Sequence, residues 1–597
     1  MGEKTRSEKY TYSDGTDGDG SLTQLKTGSG HKINYTYDAL KHLKNASVVN
    51  SSNVELFKTA CSYRTVSGNQ SSAQVEFRNV RRSSDNELLE GKKYDYDSVG
   101  NIIQISQSTG DYYPLVKYEY DSQNQLISEI YYDGEGSANT NITSAYYYTY
   151  DTAGNLQRVE EGAVGTDGTI TKTVIQTYTY STGGWKDLLT KVNSNPIAYE
   201  GQTYDADANT VSGTAISGNP TNYPINGTIY DLAWENGRQL SSISKANRLS
   251  PGGRWTVSFE YDSDGIRTKK QVPHGRIYMV YSYITQNGKV VRQSDNRGDA
   301  AKVLDFIYDE SDRPFALIYT NGAADPVTYY YVLNLQGDVV GLVDENGVYV
   351  AQYTYNAWGE ILDISGDMAA INPLRYRGYY YDTETGFYYL QSRYYDPVNH
   401  RFINADNLAS TAQGFLGYNM FAYCLNNPVN LFDSTGYESG TLAIWAGMAW
   451  LCGADGPIPV GDIIYVAGCL VCGVIDLINY FGADNVVFVA NGAYDVYNSA
   501  KHGGGNFSTS MAGSTPATPP NRNNNNRGER DYVKAGGNAQ ANKWAQRAGA
   551  DSAEALKEEF VGKSGSRFDM YIDRTTNELL LIGKTSGVII STGYYLP

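Results

Sequence analysis

The chain has 597 residues, 41% of them apolar, and 48 Lys plus Arg against 65 Asp plus Glu give a formal net charge of −17. That is enough apolar residue for several cores, about four units at ~150 residues each, and the acid excess excludes a chain that coats nucleic acid with its whole surface. The 54 Tyr and 62 Gly against 17 Pro exclude a helical bundle or a disordered chain and point to short aromatic strands joined by turns.

The opening residues, MGEKTRSEKYTYSDG, are polar and lack an apolar h-region, so no signal peptide is expected there. A motif of aromatic-x-Tyr-Asp-x-x-Gly-Asn-aliphatic then recurs, ending at Leu43, Ile103, Ile127, Leu156 and, as FEYDSDGIR, at Arg267. Degenerate copies centre on Asp205, Asp231 and Asp309, and Ser181 takes the Asp position in YTYSTGGW. From Asp97 the markers fall at 121, 151, 181, 205, 231 and 262, a period of 24 to 31 residues, which signals a repeat architecture. Each unit reads as strand, turn and strand: Tyr-x-Tyr sends two rings to one face, Asp accepts backbone N–H groups in an Asx turn, and Gly-Asn supplies positive φ. One such hairpin cannot bury its aromatic face, but a stack can.

Residues 329 to 362 follow with two more hairpins, turning at Gln336-Gly337-Asp338 and Glu345-Asn346-Gly347, then Tyr355-Asn356-Ala357-Trp358-Gly359. From Leu374 to Gly436 the chain is rich in Tyr with fixed Arg and Asp residues: LRYRGYYYDTETGFYYLQSRYYDPVNHRFINADN and then LGYNMFAYCLNNPVNLFDSTG. The stretches at Tyr379 to Tyr381, Phe387 to Leu390 and Tyr394 to Tyr395 read as short strands between turns.

These repeats and this terminal block closely resemble bacterial RHS and YD-repeat proteins. The resemblance covers most of residues 30 to 365 and the block beyond it. It implies a mainly β fold, a spiral of YD-repeat hairpins wrapped into a hollow shell (1–328) and closed by a core-associated plug (329–437). A start directly within repeat-like sequence suggests a fragment, or a short late product, of a larger shell protein. In the family the plug cuts the chain just downstream and leaves a variable C-terminal toxin inside.

Peptide hydrolysis by carboxylates needs one ionised Asp to activate water and another acid to protonate the carbonyl or leaving nitrogen. The stretch from Arg393 through Asp396 and Arg401 to Asp406 offers such groups close together. The resemblance implies aspartyl autoproteolysis by Arg393 and Asp406, with Asp396, Asp433 or Asp382 as the second carboxylate. The family's processing motif, Asn-Pro, four residues, Asp-Pro-x-Gly and a large apolar residue, matches Asn427 to Tyr437, which implies a cut after Tyr437. Three departures stand out: Ser434 in place of proline, Tyr437 in place of Leu or Met, and His400 in place of Gly. Ser434 frees a φ angle that a proline ring would fix and so loosens the geometry before the bond to be cut.

Beyond Glu438 the character changes. Two apolar runs, Thr441 to Cys452 and Ile463 to Ile475, are each too short to span a ~30 Å hydrocarbon core and predict a pretoxin linker (438–500), a buried pair or one making transient membrane contact through 441–480. Cys469 and Cys472 have CxxC spacing but no second ligand pair nearby, so buried thiols are expected rather than a metal site, and no cofactor is expected. Gly, Ser, Pro and Asn dominate a flexible linker (501–530).

The last domain (531–597) reads as small α+β, two helices and then a three-strand antiparallel sheet. Ala541, Trp544, Ala545 and Ala548 share one helical face, and Asp551 with Glu554 opens a second helix. No His lies beyond His502 and no Cys beyond Cys472, which excludes His-metal nucleases, zinc deaminases and Cys-His proteases for this domain. Alternation places Arg567, Asp569, Tyr571 and Asp573 on one strand face, and a hairpin about Thr575-Thr576 brings Lys584 near Arg567. With Lys543 these make a basic and aromatic face suited to RNA cleavage, in an element order similar to small toxin RNases; solvated charges on an outer face, a pore-forming or NAD-degrading toxin, or an inert remnant are the alternatives.

The expectation is a secreted or cell-surface polymorphic toxin used between bacteria, its toxin acting in the target cytoplasm. Its partners would be a secretion apparatus or cell-surface machinery, an RNA substrate and a cognate immunity protein. Teneurin-like adhesion proteins use the same repeats, so a surface adhesion or carbohydrate-binding protein without toxin activity is the alternative.

Overall fold

The computed structural model describes residues 8–13, 21–66, 70–133, 142–165, 169–246, 254–274, 277–309, 311–406, 419–436, 440–441, 532–535, 538–547, 552–554, 557, 568–573, 578–583 and 589–595. The chain divides into two compact units, Met1–Gly505 and Asn506–Pro597.

In the first unit the repeat motif closes hairpins through its Asp. Asp97 Oδ1 accepts the backbone N–H groups of Val99, Gly100 and Asn101 at 2.8–3.0 Å, and Asp121 and Asp151 do the same for Gln123 and Gln125 and for Ala153 and Asn155. The glycine alone takes positive φ in these turns, 100° at Gly100 and 76° at Gly154, with Asn124 (φ 60°) in its place between them. The residue after it therefore does not supply turn conformation, as Gly-Asn had suggested; its amide donates back to the same Asp. Asp231 is a second correction. It lies within the strand Thr228–Glu235, and that hairpin turns at Asn236-Gly237.

The second Tyr of each Tyr-x-Tyr has a use not evident from alternation. Its hydroxyl donates to a backbone carbonyl of the preceding repeat: Tyr96 to Val75, Tyr120 to Ile102, Tyr150 to Leu126, Tyr180 to Leu156 and Tyr261 to Leu240, at 2.7–2.9 Å. Each bond contributes about 1 kcal/mol and fixes the ring against its neighbour.

These hairpins form two large antiparallel sheets with strands in sequence order. The first holds fifteen described strands from Glu8–Tyr12 to Asn195–Pro196, the second thirteen from Asn222–Ile225 to Ile361–Ser365, and a two-stranded ribbon, Gln202–Asp205 with Thr210–Gly213, lies between them. Where the first sheet ends and the second begins, the Thr221 N–H donates to Ala198 O at 2.7 Å. The wall also meets itself elsewhere. Arg82 Nε donates to Gly347 O (2.9 Å), Tyr349 Oη to Leu89 O (2.8 Å), and Leu25, Ile33, Val80, Phe315, Tyr330 and Val343 share one core.

The described part of the segment 366–436, the plug, packs against this wall. Its four-stranded sheet, Tyr380–Asp382, Phe387–Tyr389, Tyr394–Asp396 and Arg401–Phe402, places Tyr388, Tyr395 and Phe402 in the same core as Tyr94, Tyr148, Ile243, Phe306 and Trp358 of the wall. Wall residues that pack with the plug form one core of aromatic and aliphatic side chains.

In the second unit four strands are described, in the order Tyr532–Lys534, Phe568–Asp573, Glu578–Gly583 and Ile589–Tyr595, with the helix Asn538–Arg547. Ala541 and Ala545, one turn apart, bury against Met570, Leu579 and Leu581. The leading strand adds a fourth to the expected three; three residues are too few to show alternation in sequence. Ala548 and Asp551 lie outside the described residues, and helical backbone is present at Ala553, Glu554 and Lys557.

Candidate active site

Two turns of the plug converge on one guanidinium. Arg393, just before the third plug strand, is 4% exposed and stacks over the Phe402 ring at 3.6 Å. Its Nη2 lies 3.0 Å from Asp406 Oδ2 and 3.3 Å from Asp433 Oδ2, its Nη1 donates to Met420 O at 3.1 Å, and its Nε donates to Gly436 O. Arg238 of the wall stands behind it, donating to Ala405 O at 3.4 Å. Residues 13, 27, 40 and 43 positions from Arg393 thus meet at its side chain.

Asp433 is held from several sides. Its Oδ1 accepts the N–H groups of Gly436 (2.7 Å) and Thr435 (3.2 Å), and its own N–H donates to Tyr379 Oη (2.9 Å). Burial pushes its carboxyl up to about 6, against the lowering pull of Arg393 and of those N–H groups, with Asp406 adding to the rise. Gly436 has φ 79°, and a Cβ there would meet Ser392 Oγ at 2.6 Å and Leu390 O at 2.9 Å, so only glycine fits beside the guanidinium.

The other candidate carboxylates sit elsewhere. Asp396 is buried in its own turn, accepting from Val398 N (2.9 Å), Asn399 N (3.1 Å) and the Asn399 amide, and burial raises its pKa. Asp382 is locked to the wall by Arg267 Nη1 at 2.6 Å and Lys270 Nζ at 2.9 Å. Burial pushes Asp382 up, but those two cations more than offset it and hold the carboxyl below its usual range. The structure thus brings Arg393, Asp406 and Asp433 together, and leaves Asp396 and Asp382 in other environments.

His400, the departure from glycine, has φ 60°, the left-handed conformation that explains why glycine suits the position. Its ring packs on Trp358 (4.9 Å) and bonds Tyr178 Oη through Nδ1 (3.0 Å), and burial lowers its pKa to about 3, so it is neutral. Arg401 lies over Phe421 at 4.6 Å and reaches Tyr180 Oη and Asp187 O, each at 3.3 Å, a wall contact.

Between Met420 and Asp433 the chain makes a left-handed turn in which Cys424, Leu425 and Asn426 have φ 50°, 52° and 61°. Three consecutive non-glycine residues there cost roughly 1–2 kcal/mol each, a strain that persists only where surroundings fix it. Tyr437 and Glu438, which flank the expected cut, lie outside the described residues, as do the CxxC pair and the apolar runs apart from Thr441. Among the described residues no helix is long and apolar enough to cross a membrane, and no group of acids, His and Cys could hold a metal.

In the second unit Lys534, on the leading strand, pairs with Asp569 and lies opposite Tyr571, both half-buried. Sequence reasoning missed Lys534 because the strand that carries it was not foreseen. Lys543 is exposed on the helix. Arg567 and Lys584 lie outside the described residues.

A Teneurin YD-shell family profile matches residues 250–429, most of the second sheet and most of the plug. The chain is 30% identical over 319 residues to the tRNA3(Ser)-specific nuclease WapA of Bacillus spizizenii, covering 53% of this chain and 12% of that one. It is 26% identical to the toxin subunit YenC2 of Yersinia entomophaga, over 58% of this chain and 37% of the relative. Over these stretches the chain is similar to YD-shell and RHS-type proteins. It spans well under half the length of each of these relatives. The fold of this YD-repeat chain is also that of the crystal structure of TcdB2-TccC3-TEV, with a TM-score of 0.50 at 20% identity over 70% of this chain and 21% of that one.

Proposed function

We propose that this YD-repeat chain is an RHS-type toxin carrier that cuts itself after Tyr437 and so frees a small C-terminal toxin acting on RNA. The observation that supports the cut is the buried meeting of Asp406 and Asp433 on Arg393, with Arg393 also holding the carbonyl of Gly436, one residue before the bond's own residue. Two carboxyls in unlike environments take unlike roles. Asp433, raised to about 6, is the acid that gives its proton to the carbonyl oxygen or leaving nitrogen. Asp406 is the base that takes a proton from water, and the added OH and H end on the new carboxyl and amine.

The toxin reading is supported by the names of the relatives, one a tRNA nuclease and one a toxin subunit by description, and by the Lys534, Asp569 and Tyr571 face of the second unit. Lys543, Arg567 and Lys584 would complete it. The immunity protein, export to the cell surface or medium, and entry into a target cytoplasm belong to the same proposal.

The purified chain is followed on gels and by intact mass between pH 4 and 9. A fragment beginning at Glu438 is expected, formed at a rate that falls about tenfold per pH unit above about 6 as Asp433 loses its proton. A chain that stays whole for days sinks the cut. Expression in bacteria of the full chain beside a chain ending at Gly436 tests the toxin: growth arrest with degraded RNA is expected from the first alone, and equal growth refutes it.

A further inference from the structure

The residues that follow the positive-φ turn residue in three successive repeats, Gly100, Asn124 and Gly154, make the same two connections. Asn101, Gln125 and Asn155 are buried, and each amide NH2 donates to the Asp of its own turn. Each amide oxygen then accepts from a side-chain amide of the plug: Asn101 Oδ1 from Asn427 (3.1 Å), Gln125 Oε1 from Asn426 (2.9 Å) and Asn155 Oδ1 from Asn419 (3.0 Å). Asn426 Nδ2 also reaches Gly154 O at 2.7 Å, and Asn430 Oδ1 accepts the Ile102 N–H at 2.8 Å while its Nδ2 reaches Tyr120 Oη and Asn427 Oδ1.

The plug segment so held joins two of the residues that contact Arg393, Met420 and Asp433. Asn419 precedes Met420, whose carbonyl accepts from Arg393 and from the Asp406 N–H. Asn430 lies three residues before Asp433, and Asn426 is the last residue of the left-handed turn between Met420 and Asp433. The row of wall amides therefore meets the plug on both sides of that turn.

We propose that Asn419, Asn426 and Asn427 are positioning residues: they read the row of repeat amides at Asn155, Gln125 and Asn101 and thereby set Asp433 and the Met420 carbonyl around Arg393. The wall is then a template for the site as well as its container. This rests on the self-cleavage reading for its functional consequence, while the positioning itself has an independent readout.

Asn426→Gly isolates the interaction, since glycine adopts the left-handed φ freely and removes only the amide. Asn426→Asp keeps the size but turns a carboxylate toward Gln125 Oε1 and Gly154 O. Both are made in an Asp406→Asn chain, which does not cut, and hydrogen exchange is read at the Thr435 and Gly436 amides that donate to Asp433. Exchange at least about tenfold faster than in the Asp406→Asn parent, about 1.4 kcal/mol, is expected, and equal protection overturns the proposal. Gln125→Asn, which leaves the strained turn intact and shortens the wall amide, should give a smaller rise and serves if the Asn426 variants do not fold. With Asp406 present, Asn426→Gly should cut at least about tenfold more slowly with a shifted alkaline limb; the parental rate and profile would also overturn it. A parent chain that never cuts refutes self-cleavage, and the exchange comparison still decides the positioning.

Discussion

Two buried ionic clusters in the plug carry opposite electrostatic logic. At Asp382, Arg267 and Lys270 both touch the carboxylate, Lys270 also reaches Glu384 at 2.9 Å, and the Arg267 guanidinium lies among Tyr389, Tyr380, Tyr283 and Phe259 at 4.3–5.4 Å. At Asp433 one guanidinium touches two carboxylates. The first arrangement holds its acid ionised below the usual range, and the second lets burial win and lifts its acid to about 6. Burial is common to both, so the number of cations in contact decides which carboxyl is held low and which is raised.

The sharpest way to break this contrast is Arg393→Leu. It removes the group shared by Asp406, Asp433 and Gly436 and should slow fragment formation on the order of 10³-fold, read on gels, with the wall's strand signal in circular dichroism retained. Arg267→Met probes the other side. It leaves Asp382 with Lys270 alone and should lower stability by roughly 3–5 kcal/mol in denaturant melts, whereas an unchanged midpoint would show that the cluster does not fasten the plug.

Asp433→Asn sharpens the electrostatics. Because the folded pKa is raised, the native chain has its Asp433 contribution at low pH and loses it as pH rises from the ordinary carboxylate value through about 6. The Asn variant should match the native chain near pH 4 and exceed it by up to about 3 kcal/mol at pH 7 in paired melts; the opposite slope would mean that Arg393 dominates burial. Smallest is Ser434→Pro, which fixes one φ angle before the cut and should speed fragment formation no more than about tenfold in a time course.

How much of this could be read in the sequence follows from how far apart the partners lie. The repeat turns were legible because Asp97 bonds residues two to four positions on. The mainly β architecture followed from their recurrence, and Arg393 and Asp406 came with the family resemblance. The fastening cluster was not legible, since Arg267 and Asp382 are 115 residues apart, although one sign was present: Arg267 stands where the other repeats end in an aliphatic residue. Among three carboxyls proposed beside Asp406, only coordinates could select Asp433 as Arg393's second partner. The amide row was hidden for the same reason, because Asn426 and Gln125 are separated by 301 positions and the repeat Asn already had a local use in its turn.

The tyrosine hydroxyls that tie each hairpin to the one before it give the wall a polarity. Every such acceptor lies earlier in the chain than its donor, as in Tyr96 to Val75 and Tyr261 to Leu240. Shortening the wall from its late end leaves all remaining ties complete, whereas trimming it from the start strands a donor at the new edge. Loss of material is thus asymmetric in its consequences, and a growing chain finds each docking point already made.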